Sequence, residues 1–282
     1  PYVVANEKGF FDREGLKVQL ITFRGTNLML TALLAGELDY VTILPFLTGA
    51  AARGLPVKIV AAVTKSSSYV MISRPEIDCV KALRGKRLGI NSFGSSADYA
   101  AYAAVGRSGM DPNKDVTILP IGGGTSDRMA ALVSGTVDAT VVTSPAEYQA
   151  EKQGLRVLMS ATEMGALVRI PITGAGVTLK KIDKDGDEIV RVLRALRLST
   201  LYLLQNPEYT HGLYQRVMRV DASLAERLFK LYRDQYNPEL TLPDGIVDDL
   251  LAVGTFRLKE KPKAALNHQT VRDWSFAEKA KR

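Results

Sequence analysis

Ala32-Leu33-Leu34-Ala35-Gly36-Glu37-Leu38-Asp39 recurs as Ala131-Leu132-Val133-Ser134-Gly135-Thr136-Val137-Asp138. The likeness extends on both sides. Gly25-Thr26 recurs as Gly124-Thr125, Pro45 and Ala50 as Pro145 and Ala150, Gly54-Leu55-x-Val57 as Gly154-Leu155-x-Val157, and Ala61 as Ala161. The offset is 99 residues, and 100 after one inserted residue. Twelve of the 37 positions from Gly25 to Ala61 are identical, where ordinary residue usage gives about two or three. A period of this length is too long for a solenoid unit and fits one βαβ unit used twice.

Each copy predicts the same elements. Val18–Phe23 and Val116–Ile121 are β-rich runs, each followed by an apolar helical pattern that Gly36 or Gly135 ends. Leu38–Leu44 and Val137–Val142 are almost wholly apolar, as suits parallel strands covered on both faces. Pro45 and Pro145 stop them, a helix follows, and Val57–Val63 and Arg156–Ala161 are further strands. Between the copies, Tyr69–Ser73 and Leu88–Asn91 read as strands and Ala97–Ser108 as a helix. Ala166–Leu179 is extended, and two connecting strands near 69–73 and 168–178 bracket the second copy as a hinge. From Asp187 the chain is mostly helical, with Ile189, Val192, Leu193, Leu196 and Leu203 at helical spacing and Ser223 with Glu226 as a capping box.

Composition excludes several classes. The 282 residues are 46% hydrophobic and 24% charged, ordinary globular values for about two domains. One cysteine, Cys79, excludes an internal disulfide and a cysteine-cluster metal site, and two histidines leave little for a histidine-based one. Cys79 itself reads as a small buried hydrophobe. The net charge of +7 comes from basic residues spread along the chain without a block of five, so no nucleic-acid partner is expected. No apolar run approaches the roughly 18 residues that cross a bilayer. The start at Pro1, without Met, is expected for a processed or trimmed chain.

No nucleophile elbow, zincin, P-loop or dinucleotide motif stands in a strand–turn–helix context. Neutral donors cluster instead where strands hand over to helices: Gly25-Thr26-Asn27, Ser92–Ser96, Gly123-Gly124-Thr125-Ser126 and Thr143-Ser144. Ligands of open α/β sheets bind outside the carboxyl ends of strands. Free N–H groups at a helix start accept an anion, and Ser95-Ser96 before the Ala97 helix is the best such place, although serine is also an ordinary N-cap. Ser66-Ser67-Ser68-Tyr69 is another such loop. Phe46, Tyr69, Phe93 and Tyr99 offer stacking surface. Arg24, Lys65 and Arg128 stand beside these loops and can pair with a carboxylate or sulfonate, or remain solvated.

Ala5-Asn6-Glu7-Lys8-Gly9-Phe10-Phe11-Asp12-Arg13-Glu14-Gly15-Leu16-Lys17-Val18 resembles the A-x-E-x-G-x-F-x-x-x-G-L-x-V signature of ABC-transporter substrate-binding proteins for nitrate, taurine, alkanesulfonates and thiamine pyrimidine precursors. Ala32-Leu33-x-x-Gly36-x-x-Asp39, Leu83-Arg84-Gly85-Lys86-Arg87-Leu88-Gly89 and Val271-Arg272-Asp273-Trp274-Ser275 are similar to further motifs of that group. The resemblance implies an α/β, two-lobed type II periplasmic-binding-protein fold. Each lobe would hold a mainly parallel sheet flanked by helices, with a hinge of two crossing strands and a helical C-terminus. Lobe 1 would be residues 1–72 with 174–282, and lobe 2 residues 73–173. It also implies a first strand and binding loop preceding Pro1.

Carried over by position, the expected ligand contacts are Gly25, Thr26, Asn27, Leu44, Pro45, Phe46, Ser67, Ser68, Tyr69, Phe93, Gly94, Ser95, Ser96, Gly124, Thr125, Thr143, Ser144, Thr173 and Gly174. The implied function is capture of a small organic anion, carboxylate or sulfonate, between the lobes for an ABC permease. No metal or cofactor is expected, and the protein would be exported and monomeric. A pyrimidine or aromatic ligand is the alternative, as is an enzyme resembling the thiamine-pyrimidine synthases. That enzyme needs reactive His and Cys residues, which are scarce here. The effector domain of a LysR-type regulator shares the fold, but the helix-turn-helix is missing.

Overall fold

The computed structural model describes residues 1–23, 26–258 and 266–282. The signature stretch forms α1 (Tyr2–Glu7) and α2 (Phe10–Arg13), separated by Gly9 at φ 65. The first copy of the repeat then gives α3 (Thr26–Ala35), β1 (Val41–Ile43), α4 (Leu44–Ala52) and β2 (Val57–Ala62). Next come β3 (Tyr69–Ser73), a 3-10 turn over Val80–Leu83, β4 (Arg87–Ile90), α5 (Ser96–Arg107) and β5 (Thr117–Pro120). The second copy gives α6 (Thr125–Val133), β6 (Ala139–Thr143), α7 (Ala146–Lys152) and β7 (Arg156–Met159). Helix, strand, helix and strand therefore recur at the offset read in the sequence. α8 (Ala161–Leu167) and β8 (Thr173–Thr178) follow.

Two sheets form. One has the order β1-β8-β2, with β8 antiparallel to both neighbours. The other has the order β5-β4-β6-β3-β7; β4 is parallel to β5 and β6, and β3 is antiparallel to β6 and β7. The two-lobed α/β expectation holds, but parallel pairing is confined to β5-β4-β6. The reason is a reciprocal insertion. Within the trio β1-β8-β2 the middle strand arrives after the second copy. Within the matching trio β6-β3-β7 the middle strand arrives before it. The expected boundary at 72/73 falls inside β3, which pairs along its whole length in the five-stranded sheet.

Val18–Phe23 does not become a strand. It runs without ladder partners, and Leu20 and Ile21 are about half exposed. With Tyr40, Val41 and Thr42 it lines a groove of about 630 Å³. By the 99-residue offset, Val18–Ile21 corresponds to β5, and β4 fills the equivalent space in the other sheet. Leu38–Leu44 also shortens to β1, because Leu44-Pro45 already opens α4 with proline in its first turn.

The C-terminal part is helical, as expected. α9 (Leu179–Gln205) buries Ile189, Val192, Leu193, Leu196 and Leu203, the predicted stripe. α10 (Pro207–Met218), α11 (Ala222–Tyr232), α12 (Asp244–Thr255), α13 (His268–Val271) and α14 (Ser275–Ala280) follow. Asp221, not Ser223, caps α11: its Oδ1 accepts the Leu224 N–H at 2.8 Å. α12 packs on α4 where two glycines meet. A Cβ on Gly254 would stand 2.8 Å from the Gly49 nitrogen, so the helices approach at backbone distance. Cys79 is exposed, not buried as its sequence neighbours suggested.

Candidate functional site

Strand ends of the five-stranded sheet gather one polar cluster. Tyr69 opens β3 opposite Thr143, the last residue of β6. The Tyr69 phenol lies 2.6 Å from Ser96 Oγ at the start of α5. Thr143 Oγ1 lies 3.3 Å from Thr125 Oγ1, the first residue of α6. Burial raises the Tyr69 pKa, so its phenol keeps its proton.

Arg128, one turn into α6, is only 6% exposed. Its Nε donates to the Val141 carbonyl at 3.1 Å. Among the described residues the guanidinium has no ion-pair partner within 4.0 Å. Burial lowers its pKa, and Tyr69 and Asp127 are the groups acting on it electrostatically. A buried cation with no paired carboxylate is costly, and a small anion in contact with it removes that cost. Of the two readings for Arg128 in the sequence, solvated side chain or anion partner, the solvated one fails.

At both expected helix-start cradles an aspartate turns back toward the start of its helix. At α6 the N-cap Gly124 donates its N–H to Asp127 Oδ2 at 2.7 Å, and a Cβ at Gly123 (φ +75) would collide with that carboxylate. At α5 Gly94 N–H donates to Asp98 Oδ2 at 2.8 Å, while Asp98 N–H donates to Ser95 Oγ at 3.2 Å. Ser95 Oγ also faces Asn91 Oδ1 at 2.5 Å and the Ser92 carbonyl at 2.7 Å. Ser95 is therefore an N-cap with its hydroxyl engaged. Each helix carries an aspartate three residues after its cap, which takes one N–H at or before the cap and adds negative charge there, while the N–H groups of Ser96, Ala97, Thr125 and Ser126 have no protein acceptor among the described residues. The spacings Ser95-x-x-Asp98 and Gly124-x-x-Asp127 carry that signal in the sequence.

The remaining expected contacts divide. Ser144 N–H donates to the Ser68 carbonyl at 2.9 Å, and Ser67 Oγ to the Val168 carbonyl at 3.4 Å, so these serines join the chain crossings. Thr173 N–H donates to Thr64 Oγ1 at 3.2 Å at the same place. Gly174 is a packing glycine: a Cβ there would stand 2.2 Å from the Ala61 carbonyl oxygen. Leu44 is fully buried, Pro45 follows it in the first turn of α4, and Phe46 packs on the core. Thr26 and Asn27 open α3, and no bond joins them to the polar cluster; Arg24 and Gly25 lie outside the described residues. Phe93 is 56% exposed, and Tyr99 packs edge-on against Phe256 at 5.2 Å.

Two groups near the crossings were missed in the sequence. Tyr232 of α11 donates its phenol to the Ser144 carbonyl at 2.8 Å, which makes a third connection between the sheets; burial pushes its pKa up to about 12. Glu147, 9% exposed, accepts from Ser144 Oγ at 2.7 Å through Oε1. Its Oε2 is buried without a partner among the described residues, and burial raises its pKa. Neither residue belongs to a motif, so only the fold shows them.

Comparison with known proteins supplies the rest. The profile of the family described as "NMT1/THI5 like" matches residues 1–210. A Bacillus subtilis (strain 168) protein named for binding aliphatic sulfonates is 25% identical over 243 residues, covering 82% of this chain and 70% of its own. The alkanesulfonate-binding protein of Xanthomonas axonopodis pv. citri, solved with MOPS bound, superposes with a TM-score of 0.78 at 19% identity, covering 96% of this chain and 94% of its own. A desulfurization enzyme superposes with a TM-score of 0.69 at 14% identity over 98% and 94% of the two chains. The periplasmic-binding-protein fold thus serves both binding and catalysis. Among the described residues no helix is long and apolar enough to cross a membrane.

Proposed function

The chain belongs to the NMT1/THI5-like family, and from that premise we propose that it is the extracytoplasmic solute-binding component of an ABC importer, taking a small organic anion between its lobes. The lobes divide as residues 1–68 with 173–282, and 69–172, following the sheets. The observation that carries the proposal is Arg128: a buried guanidinium with no ion-pair partner among the described residues, near Tyr69, whose phenol meets Ser96 and whose strand pairs with that of Thr143, itself in contact with Thr125. A sulfonate or carboxylate supplies the missing charge, and neutral hydroxyls complete its coordination. The relatives named for sulfonates support the same class. Ligand binding favours the closed arrangement, which an ABC permease in the membrane reads.

This cluster holds and orients an anion; it offers no activated nucleophile. His211 packs on Phe229, and His268 stands between Asp244 and Asp248. We therefore favour a binding protein over an enzyme. The test is calorimetric titration of the purified chain with linear alkanesulfonates and monocarboxylates of increasing length, together with mass spectrometry of the mixture after incubation. The expected result is saturable one-to-one binding of at least one anion and its recovery unchanged. Absence of binding across the series, or loss of the sulfonate group, would overturn the assignment.

A further inference from the structure

Arg257 stands just past α12, the helix that packs on α4 beside the three-stranded sheet. Its guanidinium reaches the other half of the molecule. Nε donates to Asp98 Oδ2 at 2.9 Å and Nη2 to Asp98 Oδ1 at 2.8 Å. Asp98 is fully buried in the first turn of α5, beside the five-stranded sheet. The same carboxylate holds Gly94 N–H, and hence the left-handed turn at φ +75 in the loop before α5. The rings of Phe93, Tyr102 and Phe256 surround the guanidinium with centroids 5.1–5.6 Å away. Planar geometry, two parallel bonds and aromatic faces are what arginine, and not lysine, provides.

We propose that Arg257 is a positioning residue. From one lobe it clamps Asp98 in the other, sets the Phe93–Ser96 loop beside the anion cluster, and latches the lobes together. The proposal rests on the solute-binding reading for its effect on ligand, but the latch itself is independent of any ligand. Breaking a buried, bidentate charge pair acts on dissociation more than on association. The latch therefore sets how long a bound anion stays.

Two readouts test it. Spin labels on the native exposed Cys79 and on V217C, an exposed position of α10, report the interlobe distance by pulsed EPR without ligand. Arg257→Gln should lengthen and broaden the distance distribution. With 1-butanesulfonate, stopped-flow fluorescence should show dissociation faster by about tenfold or more, with association within about threefold. Arg257→Lys should fall between the two, since it restores charge and only one bond. If Arg257→Gln does not fold, the doubly neutral Asp98→Asn, Arg257→Gln protein carries the same two readouts. An unchanged distance distribution in a folded variant overturns the latch. A changed distribution with no butanesulfonate binding in wild type supports the latch and overturns the ligand assignment instead.

Discussion

Tyr69 and Ser96 belong to β3 and α5, and their hydroxyls meet at 2.6 Å inside the five-stranded lobe. One of the two donates, and the acceptor keeps its own proton for a further bond. The buried phenol titrates above its ordinary value, so the pair presents one neutral donor across the physiological range. Tyr69→Phe should cost about 1 kcal/mol of stability and weaken sulfonate binding by roughly tenfold, the value of one neutral hydrogen bond. Urea denaturation and calorimetry of the same variant separate the two effects.

Arg128→Met removes the buried cation while keeping its apolar stem. Butanesulfonate binding should fall by about 10- to 100-fold, the scale of a lost charged hydrogen bond. Stability should hold or rise, because the variant no longer buries a guanidinium that lacks an ion-pair partner among the described residues. A thermal melt that drops sharply, with anion affinity retained, would reverse the role given to Arg128.

Ser95→Ala tests the capping assignment. Its hydroxyl is committed to the turn and to Asp98 N–H. The expected loss is about 1 kcal/mol of stability, with anion affinity nearly unchanged. Thr125→Val should show the opposite pattern, since Thr125 Oγ1 shares only a 3.3 Å contact with Thr143. Comparing melts with titrations for the two variants decides it.

Glu147 gives a pH dependence with a definite sign. Burial raises its folded-state pKa above the ordinary carboxylate value. Between those two pKa values the unfolded chain has released the proton and the folded chain has not. The unfolded state then binds fewer protons, so stability falls as pH rises through that window. Glu147→Gln keeps the shape without the charge. It should be more stable than wild type at pH 7 and indistinguishable from it below the ordinary carboxylate pKa, as followed by thermal melts at both.

Gly254→Ala places a methyl group against the Gly49 nitrogen and Thr48 of α4. Alanine favours helix by about 1 kcal/mol, but overpacking against backbone costs about 1–3 kcal/mol. A net loss of stability is expected, and with it a displaced Arg257 and faster release of anion. An unaltered melting temperature would show that α12 and α4 separate easily.

Much of this was legible in the residues. Gly36-x-x-Asp39 and Gly135-x-x-Asp138 revealed two copies of one unit because both copies needed the same turn after the same helix. The apolar run Val137–Val142 announced a strand covered on both faces, which the structure forms as Ala139–Thr143. The pairing of β8 and β3 was not legible, because an antiparallel insertion leaves no local mark distinct from a parallel one. Asp98 and Asp127 were present at capping distance, yet their effect on the helix starts requires knowing that the carboxylates turn back. Arg257 and Asp98 are 159 positions apart, and no periodicity joins them. Arg128 looked like any cation near a loop until its burial was known.

The reciprocal insertion of β3 and β8 also imposes an order of assembly. All five strands of the larger sheet lie within Tyr69–Met159, one continuous stretch, while β1 and β2 cannot pair until β8 is made. Contacts that close long loops form late. The topology therefore predicts that the five-stranded lobe is an early, self-sufficient folding unit, and that the smaller sheet closes last around a strand supplied after it. Pulse-labelling hydrogen exchange during refolding should protect Val141 and Val142 before Ile59 and Ala61; simultaneous protection would contradict this sequence of events. The anion cluster of Tyr69, Ser96, Thr125, Arg128 and Thr143 belongs wholly to the first stage, whereas Arg257, which reaches Asp98 from beside the smaller sheet, joins it only with the second.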